Sequence, residues 1–276
     1  MPEPEPAWRS LFPDKDFSFR FGFRACSPQE FFEPGPLGSK LLTERARWLD
    51  EMPERYCRVR PEGGEILRET VKHAREWAGL RDVPPLELDD LGLAEWLGRR
   101  LEPDFVLLRR NGDQFDLVGG CVCFPSSWRL TDKVGLPLAE VHAPVPGLNE
   151  EYGDTIARYL SRLRPGMAMT RANWGLSRSP ELNHHPDLGL PGLGPEVNVS
   201  EVFLRIEWQA LVALAGTGGI VFGIRLEIVP LAEVIREPET AAGLRRALRT
   251  MPDSVALYKG LEPARDGLIR LLDQAG

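Results

Sequence analysis

Residues Leu138 to Gly147 read Leu-Ala-Glu-Val-His-Ala-Pro-Val-Pro-Gly, and they hold one of only four histidines, His142. A short helical run precedes it and two prolines follow. Proline cannot continue a helix and restricts the residue before it. The backbone at His142 is therefore stiff. A histidine that is aimed as well as present suits an axial ligand to a metal or haem. The plainer alternative is a partly buried imidazole bonded to a backbone carbonyl.

Other residues invite the same question. Arg205, Glu207 and Gln209 alternate along one probable strand and so share a face. If helices cover that face, the three form a buried network or line a pocket. Arg129 and Arg171 can each pair a carboxylate through two hydrogen bonds, or make surface salt bridges. His184 and His185 are adjacent in a Pro/Gly-rich loop and point in different directions. That reads as a mobile loop or solvated surface. Cys121 and Cys123 alternate on a strand with no second Cys/His cluster nearby, which reads as buried small hydrophobes.

The elements that must place these groups follow from pattern. The alternation of Phe17, Phe19, Phe21 and Phe23 predicts a short strand. Residues 38–100 read as helical, with an amphipathic helix from Glu65 stopped by Gly79 and another capped by Asp89 or Asp90. From Phe105 the period changes to two. Asn111-Gly112-Asp113 marks a hairpin between residues 105–110 and 115–124. A helix is expected over 149–163, then strands over 167–176, 202–214 and 220–229, with a long loop over 177–198. Helices broken by Pro238, Pro252 and Pro263 close the chain. Two strands, short helices and three more strands is the order of a PAS domain, so the expected fold is α+β: a five-stranded antiparallel sheet with helices over one face. A single domain over 1–276 is expected, with a helical extension over 1–100, a core over 101–230 and a helical segment over 231–276.

A chain of 276 residues can bury a large core. Its net charge of -7 argues against nucleic-acid or anionic-membrane partners. No apolar run approaches membrane-spanning length, and the acidic, proline-rich start is unlike a secretory signal. The cytoplasm is the expected compartment.

Several ordered motifs between about residues 100 and 232 carry a family resemblance. They are Cys-Phe-Pro-Ser-Ser-Trp-Arg-Leu from Cys123, Lys-Val-Gly-Leu-Pro-Leu-Ala-Glu-Val-His-Ala-Pro from Lys133, Arg-Ala-Asn-Trp from Arg171, and Asn-Val-Ser-Glu-Val-Phe-Leu-Arg-Ile-Glu-Trp-Gln from Asn198. The chain resembles the haem-dependent oxidative N-demethylases, the haem subunit family of dimethylamine monooxygenase. The resemblance implies a PAS-like core holding haem b and its iron, and monooxygenase chemistry on a methylamine with release of formaldehyde. It departs from the family at Trp208, which stands where a cation is usual.

On that resemblance His142 is the candidate proximal iron ligand. Arg129 and Arg171 are candidate propionate partners, and Trp128 and Trp174 candidate walls of the haem slot. Glu207, with Arg205 beside it, is the candidate catalytic carboxylate, since a methylammonium substrate is cationic. Gly216-Thr-Gly-Gly lies between strands and is no dinucleotide fingerprint. Electrons are thus expected from a separate flavin and iron-sulfur reductase, with dioxygen and a small methylated amine as substrates. The alternative is a haem or small-ligand sensor without turnover. No coiled-coil, kinase or DNA-binding output element is seen, which favours the enzyme.

Overall fold

The computed structural model describes residues 7–19, 22–35 and 37–274. Seven strands form one sheet: β1 (Arg24–Cys26), β2 (Cys57–Val59), β3 (Asp104–Asn111), β4 (Gln114–Cys121), β5 (Ala168–Ser177), β6 (Phe203–Ala213) and β7 (Ile220–Pro230). Their order is β1-β5-β6-β7-β3-β4-β2. All strand pairings are antiparallel. The expected five strands are therefore seven. The two additions are three-residue edge strands, too short for any period to show.

The β3–β4 hairpin turns at Gly112, whose φ of +62° is the left-handed geometry that glycine adopts freely. The strand expected over Phe17 to Phe23 does not form at Phe17 and Phe19, and Phe21 lies outside the described residues. Pairing begins at Arg24 instead, against Thr170 of β5.

Helices cover both faces of the sheet, not one. The reason is visible in β3, which is buried at every position from Asp104 to Leu108; such two-sided burial demands a cover on each side. One face receives the N-terminal helices α1 (Pro28–Phe32), α2 (Gly38–Glu51), α3 (Pro53–Tyr56), α4 (Gly64–Trp77) and α5 (Asp90–Gly98). Phe32, Leu67 and Leu97 meet Phe105, Leu107 and Val221 there. A side chain at Gly223 would strike the rings of Phe31 and Phe32, so that glycine lets α1 lie close on β7. The other face receives α6 (Leu138–His142) and α7 (Leu148–Ser161). Leu130, Val141 and Leu160 pack there on Val106, Leu108 and Leu211.

The C-terminal helices α8 (Leu231–Val234), α9 (Pro238–Thr250), α10 (Asp253–Tyr258) and α11 (Arg265–Gln274) share a core with Leu204, Ile206 and Val229 of the sheet. Each fully buried Leu or Phe in these clusters contributes roughly 1.5–3 kcal/mol against the entropy of ordering. Among the described residues no helix is long and apolar enough to cross a membrane.

Candidate functional site

The register fixes which polar groups meet. Arg205, Glu207 and Gln209 of β6 stand opposite Gly175, Asn173 and Arg171 of β5. Opposed residues of an antiparallel pair point to the same side, so Arg171 and Asn173 join the β6 trio. This is the face under α6 and α7, because Leu211 of the same alternation packs in their cluster. Trp208 and Trp174 point to the other face.

Glu207 is held by neutral donors. The Ser126 hydroxyl donates to its Oε1 at 2.6 Å. Asn173 Nδ2 and Gln209 Nε2 donate to its Oε2 at 3.2 and 2.9 Å. Gln209 in turn accepts from Arg171 Nε at 2.8 Å. Ser126 also accepts from Arg205 Nε at 2.8 Å. It sits beside Ser127, the one non-glycine residue with positive φ (64°) among those described. A backbone held there costs of order 1–3 kcal/mol and persists only where its surroundings impose it.

Those surroundings are well defined. Asp104, 2% exposed, accepts from the backbone N–H of Cys123 and Phe124 at 3.0 and 2.8 Å and pairs with Arg45 at 3.1 Å. Burial pushes the Asp104 carboxyl up to about 6, while Arg45 opposes the shift. Arg205, 4% exposed, donates to the carbonyls of Phe124, Pro125, Glu181 and Leu182 at 2.9, 3.3, 3.1 and 2.6 Å. Burial brings this guanidinium down to about 10. Arg205, expected as a catalytic group, joins the network of Glu207 through the Ser126 hydroxyl. Its donors are spent on holding residues 124–126 and 181–182 against β6.

His142 ends α6. Pro137, at φ -60° and ψ 148°, starts that helix, and side chains satisfy its carbonyls: Lys133 Nζ donates to Val141 and Asn149 Nδ2 to Ala139, at 2.9 and 2.7 Å. Burial lowers the His142 imidazole to about 4, helped by the nearby cations Arg171 and Lys133. It is neutral at pH 7. Arg171 is itself lowered by burial. Its guanidinium lies 5.4 Å from the Phe23 ring, and Phe23 stacks on Tyr159 at 4.6 Å. The buried Tyr159 hydroxyl has no hydrogen-bond partner among the described residues.

The remaining expectations divide. Trp128 packs on the α6/α7 side. Trp174 does not: it lies in the C-terminal core, edge-on to Phe12 at 5.0 Å and under Lys259 at 5.3 Å. Arg129 is also elsewhere, pairing with Asp187 at 2.7 Å near the surface. Cys121 and Cys123 are fully buried, as expected of small hydrophobes, with Cys121 opposite Cys57 on the N-terminal helix side. Among the described residues no group of three or more His, Cys, Asp or Glu could hold a metal ion on its own.

His184 and His185 are not solvated surface. His185 is 3% exposed and edge-on to Tyr56 at 5.6 Å. His184 is bridged through its backbone to Ser126; its N–H donates to Pro125 and its carbonyl accepts from Ser127, both at 3.2 Å. Sequence reasoning missed Ser126, Asn173 and His184. The period of two from Arg171 could have found Asn173; a loop histidine leaves no such signal.

An antiparallel sheet of seven strands with helices on both faces, and a polar set on one of them, defines an α+β protein. The chain belongs to the family of haem-dependent oxidative N-demethylases, alpha subunit-like, whose family model matches residues 46–269. An oxidative demethylase that depends on haem, and that forms one subunit of a larger assembly, is what this description names.

Proposed function

We propose that the chain is the haem subunit of a monooxygenase that removes a methyl group from a small methylated amine such as dimethylamine and releases it as formaldehyde. One observation carries this most: the neutral His142 imidazole, with no hydrogen bond to it seen among the described residues, stands close to the half-buried Arg171. A haem needs an iron ligand, a partner for its propionates and apolar surface. His142 supplies the first, Arg171 the second, and the partly buried Phe23, Trp128 and Met169 the third. The unpartnered Tyr159 hydroxyl leaves one more polar group for a ligand on this side. The residues fit the group. A PAS-like core over 101–230 within one domain over 1–276, flanked by the extensions 1–100 and 231–276, is the fold reading that goes with it.

Haem b, when bound, supplies the activation of dioxygen and the oxidation of a methyl C–H bond. The chain's residues bind and orient. Glu207, fixed by Ser126, Asn173 and Gln209, attracts the cationic amine and can take its proton. Arg205 positions Ser126 and so Glu207. One oxygen atom ends in formaldehyde and the other in water. The two electrons come from a separate reductase, read as a flavin and iron-sulfur protein.

The test is a visible spectrum of the purified protein and of His142→Ala. The expected parent shows a Soret band that shifts with carbon monoxide, and the variant loses that band or its ligand signature. A parent without haem after reconstitution would overturn the reading; unchanged ligation in the variant would remove His142 from it.

A further inference from the structure

The acceptor capacity of Glu207 has a limit. An ionised carboxylate offers about four lone-pair sites. Ser126, Asn173 and Gln209 fill three of them. One remains. A secondary ammonium carries two N–H bonds, and burying one without an acceptor is costly.

A second acceptor lies in the loop that is bridged to Ser126. The Nε2 of His184 is buried and has no hydrogen-bond partner among the described residues. The imidazole lies against the backbone at Glu181 and Ser179. A proton on Nδ1, toward those carbonyls, leaves the lone pair on the unpartnered Nε2. The residue is bridged through its backbone to Ser126, whose hydroxyl holds Glu207. Arg205 reinforces the placement: it donates to Ser126 Oγ on one side and to the carbonyls of Glu181 and Leu182 on the other. Burial and the Arg205 charge lower the imidazole to about 4, so the lone pair is free at neutral pH.

We propose that His184 Nε2 is the second acceptor for the substrate ammonium, so that Glu207 and His184 together select an amine with two N–H bonds. This rests on the amine demethylase reading and adds its specificity device. Trimethylammonium, with one N–H, satisfies Glu207 and leaves His184 idle. Tetramethylammonium satisfies neither and feels the Glu207 charge alone.

The experiment measures calorimetric binding of dimethylammonium, trimethylammonium and tetramethylammonium chlorides to the haem-loaded protein, with its Soret spectrum recorded in parallel. The parent is expected to bind dimethylammonium most tightly. His184→Ala should weaken dimethylammonium about tenfold to a hundredfold, the worth of a charge-assisted hydrogen bond. The other two should shift less than about threefold, a split that a merely structural role would not produce. His184→Gln, whose amide oxygen can reach a similar point, should regain part of the preference. His184→Phe fills the space without an acceptor and carries the same test if the alanine variant fails to fold. Equal weakening of all three cations, or a changed Soret spectrum, overturns the proposal; the latter would put His184 on the iron. A parent that binds none of the cations overturns the demethylase reading itself. A parent and an acceptor-free variant that discriminate alike overturn only the role of His184.

Discussion

Replacing Arg205 by Met keeps most of the volume and removes every donor. Two of its bonds, to Phe124 and Pro125, are fully buried, and the three to Ser126, Glu181 and Leu182 are partly so. Buried charge-assisted bonds contribute about 1.5–3 kcal/mol each and partly exposed ones about 1, for roughly 6–9 kcal/mol lost. The charge, however, is held at a cost. Its fall to about 10, driven by burial and opposed by Glu207 and Asp104, corresponds to a net cost of about 3 kcal/mol that methionine relieves. The balance is a destabilisation of about 3–6 kcal/mol. With an unfolding entropy of ~2.1 cal/mol/K per residue over 276 residues, the midpoint should drop by about 5–10 °C. Calorimetric unfolding of the apo protein reads this directly, and limited proteolysis should show new cleavage in 178–185, where two tethers have gone. An Arg205→Met protein with the parental midpoint and an uncut loop would refute the positioning role. If turnover were lost at the same time, Arg205 would have to act on the reacting molecules.

Glu207→Gln removes charge at nearly constant volume, so haem content should stay parental while amine affinity falls at least about tenfold; parental amine kinetics would exclude Glu207. Trp208 is half-buried and donates to Glu227 at 2.8 Å, so Trp208→Ala should cost about 1–3 kcal/mol in denaturant unfolding without altering the haem spectrum. A spectral change there would place Trp208 on the wrong face. The neutral His184 gives a pH dependence. Its imidazole titrates near 4 when folded and near 6.5 when unfolded, so the unfolded chain binds more protons between those values. The stability it confers is complete above pH 6.5 and lost as pH falls toward 4, by about 2 kcal/mol after allowing for its partial exposure. Urea unfolding of parent and His184→Gln at pH 7 and 5 should show the gap narrowing in acid; a constant gap contradicts a buried neutral imidazole.

The long strands and the hairpin were legible because their cues are local. Asn111-Gly112 specifies its own turn, and the apolar alternation from Ile220 specifies a buried face. The edge strands at Arg24 and Cys57 exist only because β5 and β4 offer them partners, and three residues carry no period. The sharing of a face by Arg205, Glu207 and Gln209 followed from a period of two. Which helices covered it did not, since that depends on how α6 and α7 return over the sheet. Ser126 and His184 were invisible for the same reason: their chemistry comes from a backbone bridge between two loops far apart in sequence. Arg129 and Trp174 lie away from the Glu207 network, which no sequence cue could tell, because a residue type states what a side chain can do and not where the chain carries it.

The pairing of β3 with β7 joins Leu107 to Val221 across more than a hundred residues. On either side of that junction the long strands meet sequence neighbours: β3 with β4, β5 with β6, and β6 with β7. Local pairings of this kind close early in folding, while the long junction must first offset the entropy of its loop. The Ser126–Glu207 bond straddles the junction, with one partner beyond β4 and the other on β6. The carboxylate therefore acquires its geometry only when the two halves of the sheet have met, and a transient parting of β3 from β7 would disarm it while both hairpins stayed intact. The geometry of Glu207 is thus expected to form late in folding, and it reports on the integrity of the whole sheet.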